Sequence, residues 1–316
     1  MTFPFQTVYP DEIKISAARI ESLMDTYHER QRTGLIRLAY SEEKQVYLLF
    51  RNGMVLNAYL VNETSSQRLE KWQETITSSP DSFARLILLS TFALQMCKLS
   101  LESRVDQSKP MSAPDLRTSL TETWRQSGDP SLFHLSWKSA EGLVFYSGIK
   151  RDEYSVFFTS NRLVDEAGIT DSLALWADPQ VMVTSFSMNP EQPAWQEYIL
   201  RRIFAAVCKR ALARYEKITG RAVVDSIIRS LVVAASRRSA EINITARQLI
   251  DREIFQTPQV AADTYRDILK TMLDQITTII GMRLSSSILS DITAELPKDE
   301  YQIAQRFSLL PEELNK

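Results

Sequence analysis

Apolar residues in the first part of the chain change period. Ile13, Ala17, Ile20, Met24 and Tyr27 recur every three or four positions, which makes one helical stripe over 11–27. The runs GLIRLAY (34–40), QVYLLFR (45–51) and MVLNAYLV (54–61) then read as a β-meander, with Asn52-Gly53 as a two-residue type I′ turn. In the middle strand Val46, Leu48 and Phe50 share one face and Tyr47 and Leu49 the other, so both faces are expected to be covered. Helical patterns follow over 66–77 and 80–102, the second with Pro80 in its first turn.

The polar stretch VDQSKPMSAPD (105–115) has two prolines and no apolar period, and is expected to be a linker. Ser112 and Asp115 have the spacing of a helix start. SLFHLSW, GLVFYSGI, EYSVFFTS, RLVDEAGI and VMVTSFS then alternate as strands, and a long helix runs from Asn189-Pro190 through Tyr215.

This order of elements suggests a duplication. An ungapped alignment over 34–50 sets Gly34 on Gly142 and Phe50 on Phe158 at an offset of 108, and further on Cys97-Lys98 falls on Cys208-Lys209 at 111. A rival alignment sets GLIRLAYSEEKQVYLLF on SLFHLSWKSAEGLVFYS at an offset of 97, and both registers stay open. The expected fold is α+β: two tandem units of helix, meander and helix at 1–105 and 112–217, then a helical bundle at 218–316. In that bundle Val224, Ile227, Ile228 and Leu231 form one stripe, and Thr245 opens a helix through ARQLIDREIF. Thr257-Pro258 opens what reads as the longest helix, lined by Tyr265, Ile268, Met272, Ile276, Ile279 and Ile280, with a kink at Gly281 and an end before Pro297.

Composition changes this picture little. A chain of 316 residues, 44% apolar and 24% charged, suggests two or three globular domains. No apolar run approaches the roughly 18 residues of a membrane span, and the first residues lack the pattern of a signal peptide, so a cytoplasmic protein is expected. Cys97 and Cys208 lie in apolar helical patterns and read as buried, reduced thiols. The net charge of −2 conceals a basic segment at 201–238, in which ten Lys and Arg face only Glu216 and Asp225.

Candidate chemistry is sparse. None of the eight glycines forms a dinucleotide fingerprint, a P-loop or a nucleophile elbow. His28 and His134 are the only histidines and read as helix-end and strand-surface residues, so no metal or cofactor is expected. Asp165-Glu166, and Asp251 with Glu253 on a short helix, read as solvated carboxylates rather than as a catalytic pair.

Leu48, Phe50, Gly53, Ala58, Arg68 and Trp72 carry a resemblance. Over 34–76 the sequence is similar to the PatA-type N-terminal domain of bacterial signalling proteins, although no acidic receiver domain follows. The resemblance implies a regulatory or protein-interaction module, and the function expected is a non-catalytic signalling adaptor or assembly component. The order of elements also looks like a roadblock or longin module, which would imply dimerisation and a small GTPase partner.

A DNA-binding regulator is the alternative. Arg210, Arg214, Lys217 and Arg221 recur at i, i+4, i+7 and i+11 as a candidate interaction surface for nucleic acid or an acidic partner. The stretch 245–270 reads as a helix-turn-helix, with Gln256-Thr257 as its turn and 258–270 as its recognition helix. Asp263 and Asp267 on that helix would repel phosphate.

Overall fold

The computed structural model describes residues 13–41, 44–62, 65–77, 82–112, 114–116, 118–119, 130–137, 140–146, 153–159, 162–167, 180–187, 189–238, 240–245 and 249–310. The fold is α+β. The chain forms two compact units, Met1–Asn189 and Pro190–Lys316, so the long helix read as the close of a second α+β unit groups with the C-terminal helices.

In the first unit β1 (Ile13–Ile15) precedes α1 (Ala17–Glu29), so Ile13 belongs to a strand rather than to the helical stripe. The meander follows as β2 (Gly34–Ala39), β3 (Gln45–Arg51), β4 (Met54–Val61) and β5 (Ser66–Arg68). Two helices read from the sequence are half strand. The stretch 66–77 is β5 and the short α2 (Trp72–Thr77), because Ser66–Arg68 pairs with β4. The stretch 80–102 is β6 (Ser82–Leu88) and α3 (Thr91–Leu101), where the Ser90 hydroxyl caps the helix by accepting from Ala93 N at 3.1 Å.

The expected linker is also a strand. β7 (Arg104–Met111) pairs with β12 and ends the sheet path, an edge position that tolerates Pro110 and polar side chains facing water. Beyond it Asp115 N donates to Ser112 Oγ at 3.3 Å, as the helix-start spacing predicts. β8 (Ser131–Trp137), β9 (Ala140–Tyr146), β10 (Glu153–Thr159), β11 (Arg162–Ala167) and β12 (Val181–Ser187) then fall on the five strands expected.

Strand order decides the register of the duplication. One sheet runs β5-β4-β3-β2-β6-β11-β10-β9-β8-β12-β7, with β1 beside β6. Each half is therefore a four-strand meander whose first strand pairs with its fifth, β6 or β12, and whose opening strand, β1 or β7, pairs with that fifth strand. Gly34 lies opposite Phe50, and Ser131 opposite Tyr146, so β2 matches β8 at an offset of 97 and β3 matches β9 at 96. The ungapped offset of 108 sets β2 on β9, which are different strands of the two copies.

Ile36, Leu38, Val46, Leu48, Phe50 and Ala58 pack with Ile20 and Met24 of α1 on one face. On the matching face of the second copy Leu135, Val144 and Tyr146 pack with Leu116. α3 packs against β2, β3, β8 and β9. Laid flat, β3 and β8 would stand about 29 Å apart, more than one helix spans, so the sheet curls around α3.

The second unit comprises α4 (Pro193–Thr219), α5 (Arg221–Arg237), α6 (Pro258–Ile280), α7 (Met282–Ala294) and α8 (Lys298–Arg306). The longest of these is α4 rather than α6. Where Thr245 was expected to open a helix, β13 (Ile242–Ile244) and β14 (Leu249–Asp251) form a small antiparallel sheet. Gly281 ends α6 and Pro297 precedes α8, while Ile279 faces solvent rather than the core.

Candidate functional site

The hairpin at Asn52-Gly53 packs against the end of α1. Both residues have positive φ, 49° and 75°, as a type I′ turn requires. Gly53 N donates to the Arg32 carbonyl at 2.9 Å, and His28 Nδ1–H donates to the Asn52 carbonyl at 3.0 Å. Tyr27 stacks on Phe50 with ring centroids 5.4 Å apart. The turn therefore seats on the last residues of α1, and a Cβ at Gly53 would lie 2.0 Å from His28 N. Leu48, Phe50 and Ala58 are in the core beneath α1, Trp72 packs against that core, and Arg68 stands opposite Tyr59 on β5. Leu48, Phe50, Gly53 and Ala58 thus build the hairpin and set it against α1.

Around α3 the interior includes several buried polar groups. Arg37 and Arg85 are buried and directly opposite each other in the β2–β6 register, and Tyr47 pairs with Arg37 on the other side. Tyr47 Oη donates to Gln45 Oε1 at 3.1 Å, and Tyr59 Oη donates to Glu102. Burial pushes the Tyr47 phenol and the Cys97 thiol well up, and Glu141 of the second copy adds to both. His134 is buried, not at a strand surface, with Nε2 3.5 Å from Glu141.

The C-terminal unit holds a second buried network. Asp251 and Glu253, read as solvated, are both enclosed. Arg201 Nε donates to Asp251 Oδ2 at 3.0 Å, Tyr265 Oη donates to the same oxygen, and Phe255 N donates to Glu197 Oε1 at 3.1 Å. Glu253 Oε2 accepts from Glu241 N at 2.8 Å. The network fastens the segment after β14 to α4 and α6, and its parts lie too far apart in sequence for spacing to reveal. The side chains of Asp165 and Glu166 lie outside the described residues.

The basic stripe divides in two. Arg210 lies 3.3 Å from Glu295, and Arg214 reaches Asp291 at 3.3 Å and Glu295 at 2.6 Å, so α7 neutralises this half. Lys217 and Arg221 are exposed and make no ion pair among the described residues. Phe204, Val207, Cys208 and Leu212 are buried on the other side of α4, as the stripe predicts. The helix-turn-helix does not form, because β14 stands where its first helix was expected, and Asp267 is paired with Arg238.

Two exposed apolar positions in the sheet unit are equivalent. Arg85 faces Arg37 and Thr184 faces His134, so Arg85 matches Thr184, and Phe83 matches Met182 two residues earlier. Phe83 is 51% and Met182 40% exposed. Among the described residues no group of three or more His, Cys, Asp or Glu is arranged to hold a metal, and no helix is long and apolar enough to cross a membrane. No family model, curated protein or solved structure matches the chain.

Proposed function

We propose that this protein is a non-catalytic cytoplasmic signalling adaptor or assembly component, which uses its two sheet repeats to hold protein partners. The observation that supports this most is the equivalence of Phe83 and Met182. Each is a large apolar side chain facing water on the strand that pairs with the opening strand of its repeat. An exposed apolar side chain by itself is ordinary. The same place exposed in both copies gives two similar anchor points on one sheet, and paired sites raise avidity without new contacts. The resemblance of 34–76 to a signalling module points the same way.

The test is partner capture by in-cell cross-linking with Phe83→Ser, Met182→Ser and the double variant, each checked for folding by circular dichroism. Each single change should weaken capture of the same partner, and the double change should abolish it. Capture unchanged in a folded double variant would overturn the reading.

A further inference from the structure

The C-terminal unit carries a second feature, independent of the sheet repeats. α4 and α5 meet at Gly220 (φ 82°, ψ 165°), and α6 and α7 meet at Gly281 (φ 81°, ψ 157°), a backbone region essentially reserved for glycine. At an offset of 61 the buried positions coincide: Phe204 with Tyr265, Leu212 with Leu273, Tyr215 with Ile276, Ile227 with Ile288, and Leu231 with Ile292. Tyr215 Oη donates to the Ile276 carbonyl at 2.5 Å, five residues before each glycine. α4 and α6 are therefore parallel and in step, and their two corners stand side by side.

These corners gather exposed apolar side chains. Ile218 and Ile279, 50% and 47% exposed, are equivalent positions just before each glycine, and Met282 (68%) and Leu284 (45%) follow the second. Lys217, Arg221 and Arg283 lie within three residues of the glycines, are exposed, and make no ion pair among the described residues. No carboxylate lies within that distance; Glu216 and Asp225 are further back along α4 and α5, and Asp274 along α6.

We propose that the paired corners form a peripheral docking site for an anionic bilayer surface. The corners end the helices, and at them Ile218, Ile279, Met282 and Leu284 stand exposed beside Lys217, Arg221 and Arg283. Apolar side chains exposed beside cations suit the boundary between headgroups and acyl chains. These exposed cations complement anionic headgroups, so an apolar and an electrostatic signal act together, as peripheral anchoring requires.

Flotation of the full chain with vesicles tests this. Binding to phosphatidylcholine vesicles containing about one-third phosphatidylglycerol is expected, with little to phosphatidylcholine alone and release at high salt. Arg221→Gln and Arg283→Gln should each weaken partitioning about fivefold, and Met282→Asp with Leu284→Asp should abolish it. Arg237→Gln, at the far end of α5, should leave it unchanged. Met282→Trp reports contact directly, by a blue shift with the anionic vesicles only. All these positions are exposed, and circular dichroism checks that each variant folds. Absence of binding to the anionic vesicles, equal binding to both compositions, or an Arg237→Gln effect equal to that of Arg221→Gln overturns the proposal. So does an acidic protein held by these residues while the vesicles are left alone.

Discussion

Phe204 and Tyr265 stack with ring centroids 4.5 Å apart and planes 14° from parallel, and they occupy the same place in two copies of one helix–glycine–helix pattern. Equivalent residues in contact imply an approximate two-fold axis between α4 and α6. Consistently, α5 packs on α6 and α7 on α4. Phe204→Ala would open a cavity on that axis and is expected to cost about 3–5 kcal/mol. Denaturant unfolding of the C-terminal unit measures it. A cost below about 1 kcal/mol would mean that the pair does not organise the bundle.

Gly53→Val should destabilise the first unit by about 2 kcal/mol or more, since a β-branched residue resists positive φ. The added carbons also meet the backbone of His28. Gly220→Ala has nothing within 4 Å to strike, so its cost, about 1–3 kcal/mol, comes from backbone strain alone. Thermal unfolding of both variants separates the two effects: at Gly53 further enlargement from Ala to Val should cost more, and at Gly220 it should change little.

Tyr215 gives the C-terminal unit a sensitivity to alkali. Burial pushes its phenol up to about 12, from an ordinary 10.0. The folded state thus holds a proton that the unfolded state releases first, so this contribution is whole below pH 10 and is lost as pH rises toward 12. Denaturant midpoints measured across that window should fall with pH in the parent and less steeply in Tyr215→Phe. Equal slopes would count against the shift.

Cys97 and Cys208 are buried, and desolvation raises both thiols. Neither should react with a thiol-specific chromophore at neutral pH until the chain is unfolded, when two equivalents should appear. Rapid labelling of the native protein would show that one helix opens readily.

Arg201→Met should destabilise the C-terminal unit strongly, by about 3–5 kcal/mol, because it leaves Asp251 buried without its cation. Arg201→Met combined with Asp251→Leu should recover much of the loss, and a double-mutant cycle measures the coupling. Additive losses would mean that the pair is not coupled.

Local chemistry was legible in the chain itself. Asn52-Gly53 specified the turn, alternation located β2, β3, β4 and the strands β8 to β12, and the stripe in α5 selected its buried face. These signals arise between near neighbours, where period and φ preference act directly. Elements whose identity depends on a distant partner were misread. SFARLIL, polar 105–111 and 249–251 become strands only because β2, β12 and β13 offer backbone partners. Arg85 inside the fold, His134 beside Glu141, Asp251 held by Arg201 and Tyr265, and Glu253 accepting from Glu241 N contradict residue-type expectation, since burial of a charge is decided by partners remote in sequence. The basic stripe was readable as a helical face, but only packing of α7 on α4 could neutralise Arg210 and Arg214 while Lys217 and Arg221 make no ion pair among the described residues. Sequence alone determined the Asn52-Gly53 turn and the alternating strands and suggested a repeat; pairing across the sheet and between helices decided which strands correspond and which charges remained at the surface.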